Sequence, residues 1–196
     1  MRIVILSDIH DNLWNLAAAL ETVQETDAMI CCGDLCSPFV IDVLARFPKE
    51  IHIVFGNNDA DLYRITAKAS KLPQFHLHGE FLECEFDGKR FAVNHFDYIA
   101  KPLAKSGKYD VVCFGHNHIM ELTREENYWL INPGPIMGAN FVTAPPGTWN
   151  NCKPTFVVYD TPSNLPEAYT INPNPQPKQV VRIKNVEALA SLSDAS

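Results

Sequence analysis

Apolar and polar positions along the first third of the chain follow two alternating periods. Residues 2–7 form a short apolar run of strand character, and residues 12–25 place Leu13, Leu16, Ala17, Leu20 and Val23 at helical spacing. Asp11 or Asn12 stands where that helix needs an N-cap. A second apolar run at 28–32, a proline-opened helix at 38–47 and a third strand at 51–55 continue the rhythm. Strands and helices in alternation imply βαβ units with parallel pairing.

After a helical or irregular stretch at 59–71 the pattern changes. Strands at 81–86 and 90–94 flank Asp87-Gly88, a dipeptide that favours a tight hairpin turn. A helix is expected at 99–105, a strand at 110–114, a hairpin from 120–123 and 128–131, and final strands at 154–159 and 167–171. Parallel and antiparallel pieces in one chain imply an α/β fold with two packed sheets and helices outside. The expected organisation is one domain over 1–171, then an extension over 172–196. That extension opens on proline-rich 172–177, an extended spacer, carries a short strand at 180–183, and frays at 191–196.

Composition narrows the function classes. With 16 Lys+Arg against 23 Asp+Glu the formal net charge is −7, which opposes a nucleic-acid scaffold role through a basic face. A phosphate-bearing substrate remains open if something other than lysine and arginine supplies positive charge. No run approaches the ~18 apolar residues that span a bilayer, so no membrane partner is expected, and the chain reads as cytoplasmic. The six cysteines form no CxxC pair, and Cys31, Cys32 and Cys113 sit in apolar strand-like runs as small hydrophobes, with no disulfides expected.

Chemistry-bearing residues gather where strands end. The first three strands run into Asp8-Ile-His10, Gly33-Asp34 and Gly56-Asn57-Asn58-Asp59, and later ones into Asn94-His95 and Gly115-His116-Asn-His118. Sites in α/β sheets form outside the carboxyl ends of strands, so all five clusters can share one rim. Asp, His and Asn suit divalent Mn, Fe, Zn or Co. Asp8/His10 and His116/His118 each set two donors on one side of an extended segment. The glycines before Asp34, Asn57 and His116 leave the following turn unobstructed. Seven donors exceed what one ion needs and suit two ions sharing a carboxylate.

These pieces resemble the calcineurin-like metallophosphoesterases, and more narrowly the small YfcE-type prokaryotic phosphodiesterases. The match includes Asn132-Pro-Gly134 and covers roughly residues 1–160. It implies a four-layer α/β/β/α sandwich of two mixed sheets flanked by helices, with a dinuclear centre. One ion would take Asp8, His10, Asp34 and His118, and the second Asp34, Asn57, His95 and His116, with Asp34 as the bridge. The implied cofactors are two divalent ions, Mn first, with Fe, Zn, Co or Ni as alternatives. The implied activity is hydrolysis of a phosphoester P–O bond by a metal-bridging hydroxide. Asp34, Asn57 and His95 would act through the metals, and Asn58 and Asp59 would reach the substrate. Asn132 would hold the metal-site loop.

Two departures shape the substrate expectation. Asn58 stands where many relatives carry a histidine that assists the leaving group, and Phe96-Asp97 follows His95 where a polar contact is usual. Both lean toward a small diester over a monoester. The alternatives are a phosphomonoesterase on the same site and a protein–protein scaffold like the related retromer subunit. A homo-oligomer is open. His52, His76 and His78 lie outside every motif and read as ordinary strand or surface positions, and Trp14 and Trp149 as packing residues.

Overall fold

The computed structural model describes residues 1–140, 144–172 and 178–184. The larger sheet contains β1 (Arg2–Leu6), β2 (Ala28–Cys31), β3 (Glu50–Ile53), β4 (Phe75–Leu77), β12 (Thr155–Asp160), β13 (Leu165–Asn172) and β14 (Gln179–Arg182). Its spatial order is β14-β13-β12-β1-β2-β3-β4. The four N-terminal strands pair in parallel, and β12 joins β1 antiparallel. The second sheet orders β5 (Phe81–Phe86), β6 (Lys89–Asn94), β7 (Val111–Cys113), β9 (Trp129–Asn132) and β8 (Glu121–Arg124). It too is mixed, with antiparallel pairs at both edges. A two-stranded ribbon, β10 (Ala139–Asn140) with β11 (Asn150–Asn151), lies outside both.

Strand alternation sorts the core into layers. Val4 and Leu6 of β1, with Met29 and Cys31 of β2, pack on α1 (Leu13–Thr22), α2 (Phe39–Leu44) and α3 (Leu62–Ala69). Their neighbours Ile3, Ile5, Ala28 and Ile30 face the other way, onto Phe91, Val93, Val111 and Cys113 of the second sheet. Ala92 and Val112 then face Ala100 and Ala104 of α4 (Asp97–Lys105). A strand buried on both faces cannot show period-two polarity, which is why β1 and β2 read as continuous apolar runs. Helix, sheet, sheet and helix stack in the four layers expected.

The stretch at 59–71, expected to be helical or irregular, contains helix α3, started by the Asp61 side chain accepting from the Arg64 amide at 3.2 Å. Other local expectations need correction. Strand β4, with three residues, and the two-residue strands β10 and β11 escaped the sequence reading because they are too short to show a period. Trp14 does not pack into the core; it is 72% exposed, and Trp149 is 61% exposed. Of the proline-rich stretch, 173–177 lies outside the described residues, as does 191–196. β14 follows the stretch and pairs with β13 at the sheet edge.

Candidate metal centre

The loops after β1, β2, β3, β6 and β7 bring Asp8 and His10, Asp34, Asn57, His95, and His116 and His118 to one rim. Sharp left-handed turns make this convergence possible: φ is +50° at Asp8, +42° at His10, +58° at Asp34, +72° at His116 and +57° at His118. Such backbone costs about 1–3 kcal/mol per residue and persists only where the surroundings impose it. Here the Ile9 and His10 amides both donate to the Asp34 carbonyl at 3.0 Å. The His116 amide donates to both Asp8 oxygens at 3.1–3.2 Å.

Close packing explains the glycines. A Cβ on Gly33 would stand 2.6 Å from His95 Nδ1, and one on Gly115 would collide with the buried Ser7 hydroxyl and an Asp8 oxygen. Those clashes make glycine obligatory at both positions while the metal loops keep this course.

Asp8, His10, Asp34 and His118 form one donor group, their ligand atoms all within 4.8 Å of one another. His10 Nε2 lies 3.3 Å from Asp34 Oδ2, and His118 Nε2 lies 3.3 Å from Asp8 Oδ1. A second group shares the same Asp34 oxygen, which is 3.4 Å from His95 Nε2. Asn57 Oδ1 completes it, 3.1 Å from His95 Nε2 and 2.9 Å from His116 Nδ1. Ligands around one ion at about 2.0–2.2 Å lie about 2.9–3.5 Å from one another; the contacts of 2.9–3.4 Å just named fall in that range, while His10 Nε2 stands 3.9 Å from Asp8 Oδ1.

The protonation pattern supports the same fit. His95 Nδ1–H donates to the Cys32 carbonyl, and His118 Nδ1–H to the Ala139 carbonyl, each at 2.7 Å. Both rings therefore turn an Nε2 lone pair toward carboxylate oxygens, an arrangement that calls for a cation between them. Burial disfavours the charged form of His95, yet the Asp34 hydrogen bond and the Asp8 and Asp34 charges raise its pKa; at His118 burial is likewise outweighed by Asp8. Burial works to raise Asp34, but hydrogen bonds from His10 and His95 hold its carboxyl well below the usual range. Cys36, 3.4 Å from His10 Nδ1, stays a thiol: burial and then the Asp34 charge push it up to about 12.

Neighbouring residues divide into supports and contacts. The exposed Asn58 donates from its amide and side chain to the two Asp34 oxygens at 2.8 and 2.9 Å. Asp59, expected to reach the substrate, is only 7% exposed. Its oxygens accept from the amides of Asp34, Leu35, Cys36 and Gly56 at 2.7–3.0 Å, so it braces the metal loops instead. Asn132 donates to the Gly115 carbonyl at 3.0 Å and to Asn117 at 2.8 Å, holding the loop that carries His116 and His118. The half-buried Phe96 ring lies 5.2 Å from the His95 ring and 5.0 Å from that of His116. Backbone carbonyls that fix the histidine tautomers were beyond sequence reasoning, since they carry no residue identity.

Comparison with known proteins decides the family. The calcineurin-like phosphoesterase superfamily domain matches residues 1–162. The chain belongs to that superfamily. The phosphodiesterase MJ0936 of Methanocaldococcus jannaschii is 31% identical over 142 residues, covering 70% of this chain and 86% of that protein. A solved archaeal phosphodiesterase shares the fold with a TM-score of 0.75 at 28% identity, over 87% of this chain and 99% of that one. The E. coli phosphoesterase YfcE (TM-score 0.58, 17% identity, 93% and 98% covered) matches in fold. So does zinc-complexed Vps29 of Entamoeba histolytica (0.64, 15%, 93% and 98%). Membership in the family implies divalent metal ions, for which the Asp8, His10, Asp34 and His118 cluster is a candidate site. No helix among the described residues is long and apolar enough to cross a membrane.

Proposed function

We propose that the chain is a metal-dependent phosphodiesterase that hydrolyses a small phosphoester at a dinuclear centre. The observation that carries this reading is the single Asp34 oxygen placed 3.3 Å from His10 Nε2 and 3.4 Å from His95 Nε2, which supports Asp34 as the bridge between two donor sets. Asp8, His10, Asp34 and His118 would hold one ion, and Asp34, Asn57, His95 and His116 the other. When bound, two divalent ions supply positive charge for the phosphoryl oxygens and acidify the attacking water. Cys32 and Ala139 keep the lone pairs of His95 and His118 on the inner side, and Asn58 holds both Asp34 oxygens in place.

Charge and pocket chemistry shape the substrate. Two divalent ions bring +4 against −2 from Asp8 and Asp34, so an acidic chain presents a cationic site. Asn58 cannot hand over an imidazolium proton, which favours leaving groups of low pKa, because general-acid help is worth about 10²–10⁴-fold. Phe96, set edge-to-face against the His95 and His116 rings, offers an apolar surface to the second substituent of a diester. Phosphodiesterase names among the relatives agree with this choice.

The reading takes Mn²⁺ as the first ion, a domain over 1–171 with 172–196 as its extension, and a cytoplasmic location, with which six free cysteines are consistent. Parallel assays of bis-p-nitrophenyl and p-nitrophenyl phosphate with the Mn²⁺-loaded protein test it. Faster diester hydrolysis is expected; faster monoester hydrolysis would make the chain a phosphomonoesterase.

A further inference from the structure

A second set of donors sits at the outer edge of the larger sheet, away from the residues assigned above. Glu50 and His52 occupy alternate positions on β3, and His52 lies in register with His76 on the neighbouring β4, with His78 just beyond. All four side chains share one face, the one on which the His52 ring meets Phe86 of the second sheet at 5.3 Å.

His52 is the informative residue. Its Nδ1 lies 3.1 Å from His78 Nε2, a hydrogen bond that uses one ring nitrogen. Its Nε2 is buried and has no partner. In the tautomer in which His52 Nδ1–H donates to His78, that orphaned nitrogen presents a lone pair. It points toward Glu50, whose Oε2 stands 3.6 Å away, too far for a hydrogen bond. The other Glu50 oxygen lies 4.0 Å from His76 Nε2. One ligand atom each from Glu50, His52 and His76 falls within 4.8 Å of the others.

We propose that Glu50, His52 and His76 bind a divalent ion of the zinc type, with His78 fixing the His52 tautomer. Two imidazoles and a carboxylate are a zinc donor set that leaves a fourth position for water. Donor atoms on such an ion lie about 3.3 Å apart, and Glu50, with its side chain 65% exposed, has the freedom to close the remaining distance. The site meets its ion ready to bind: burial, then the charges of His76 and His78, push the His52 pKa down to about 4, so the ring is uncharged at neutral pH. Occupancy ties the edge strand β4 to β3. Just past His78 the Gly79 carbonyl accepts from the Phe55 amide, next to Gly56-Asn57.

Equilibrium dialysis of the full chain against chelator-buffered Zn²⁺, with zinc counted per chain, tests this. Wild type is expected to hold one more ion than His76→Ala, and Glu50→Gln to fill that extra site at a roughly tenfold higher free Zn²⁺ concentration. The imidazole proton signals of His52 are expected to shift on zinc addition in wild type and to stay in place in His76→Ala. Hydrolysis by the Mn²⁺-loaded His76→Ala variant stays at the wild-type rate, because these donors lie outside the proposed reaction centre. Equal zinc counts and equal filling in wild type and His76→Ala would overturn the proposal, whatever the outcome for phosphoester hydrolysis.

Discussion

His10 and His118 face each other through their Nε2 atoms at 3.2 Å, although they stand 108 residues apart in the chain. The His118 ring already donates its Nδ1 proton to Ala139. Between neutral rings that contact is a hydrogen bond from His10 Nε2–H to the His118 Nε2 lone pair; with Asp34 and Asp8 beside them, a divalent ion could take both nitrogens instead.

Metal removal is therefore expected to destabilise the fold. A ligand present at 100 times its Kd adds about 2.7 kcal/mol, and in a chain of this size each kcal/mol moves Tm by about 2–4 °C. Thermal melts with excess EDTA and then with Mn²⁺ should differ by about 5–10 °C. Coincident melts would mean that the donors do not bind metal tightly.

Asp59 carries a structural load that its position beside the centre conceals. Its two oxygens satisfy four backbone amides in the loops that hold Asp34 and Asn57. An unsatisfied buried donor costs about 1–3 kcal/mol, so Asp59→Ala should lose about 3–5 kcal/mol in urea unfolding. Full stability with lost turnover would instead make Asp59 a substrate contact.

Phe96 offers an apolar wall beside His95 and His116. Aromatic contacts are worth about 0.5–1.5 kcal/mol, so Phe96→Ala should raise KM for an aryl diester about fivefold while leaving kcat within about twofold. Steady-state kinetics on bis-p-nitrophenyl phosphate check it, and an equal fall in kcat would place Phe96 in support of the metal ligands.

The edge histidines give a pH signature in metal-free protein. Burial and then the charges of His76 and His78 lower His52 from 6.5 to about 4, while Glu50 opposes the change. A base with a depressed folded pKa binds its proton more readily when unfolded. Stability from this group is thus complete above about pH 6.5 and declines as pH falls toward about 4. Between pH 7 and pH 5 the loss from His52 is on the order of 2 kcal/mol. Urea unfolding at those two pH values, with EDTA present, should show a smaller decline in His52→Gln than in wild type.

Much of this was legible before any coordinates. Strand-end clusters from Asp8 to His118 identified the rim because a parallel sheet puts all its carboxyl ends together, and the two-residue spacing of each pair survives folding. Asp87-Gly88 marked the β5–β6 hairpin through its turn chemistry. The reading failed where identity carries little information. β4 has only three residues and depends on pairing with β3, so no local pattern announces it. Asp59 looks like a polar residue beside a site, and only its four amide partners reveal a brace. His52 reads as ordinary in the sequence because its neighbours His76 and His78 lie on and just past a strand, β4, that the pattern does not show.

The central claim is a hydrolytic centre in which Asp34 bridges two ions. Its most direct test is bis-p-nitrophenyl phosphate hydrolysis by metal-stripped wild type and Asp34→Asn, each assayed with and without added Mn²⁺. Second-sphere partners of metal ligands are typically worth about 10–100-fold, so loss of a bridging ligand is expected to cost at least about 100-fold. Turnover should appear only on adding Mn²⁺ to wild type, with Asp34→Asn folded but slower by that factor. Metal-independent turnover, or full activity in Asp34→Asn, would contradict the account.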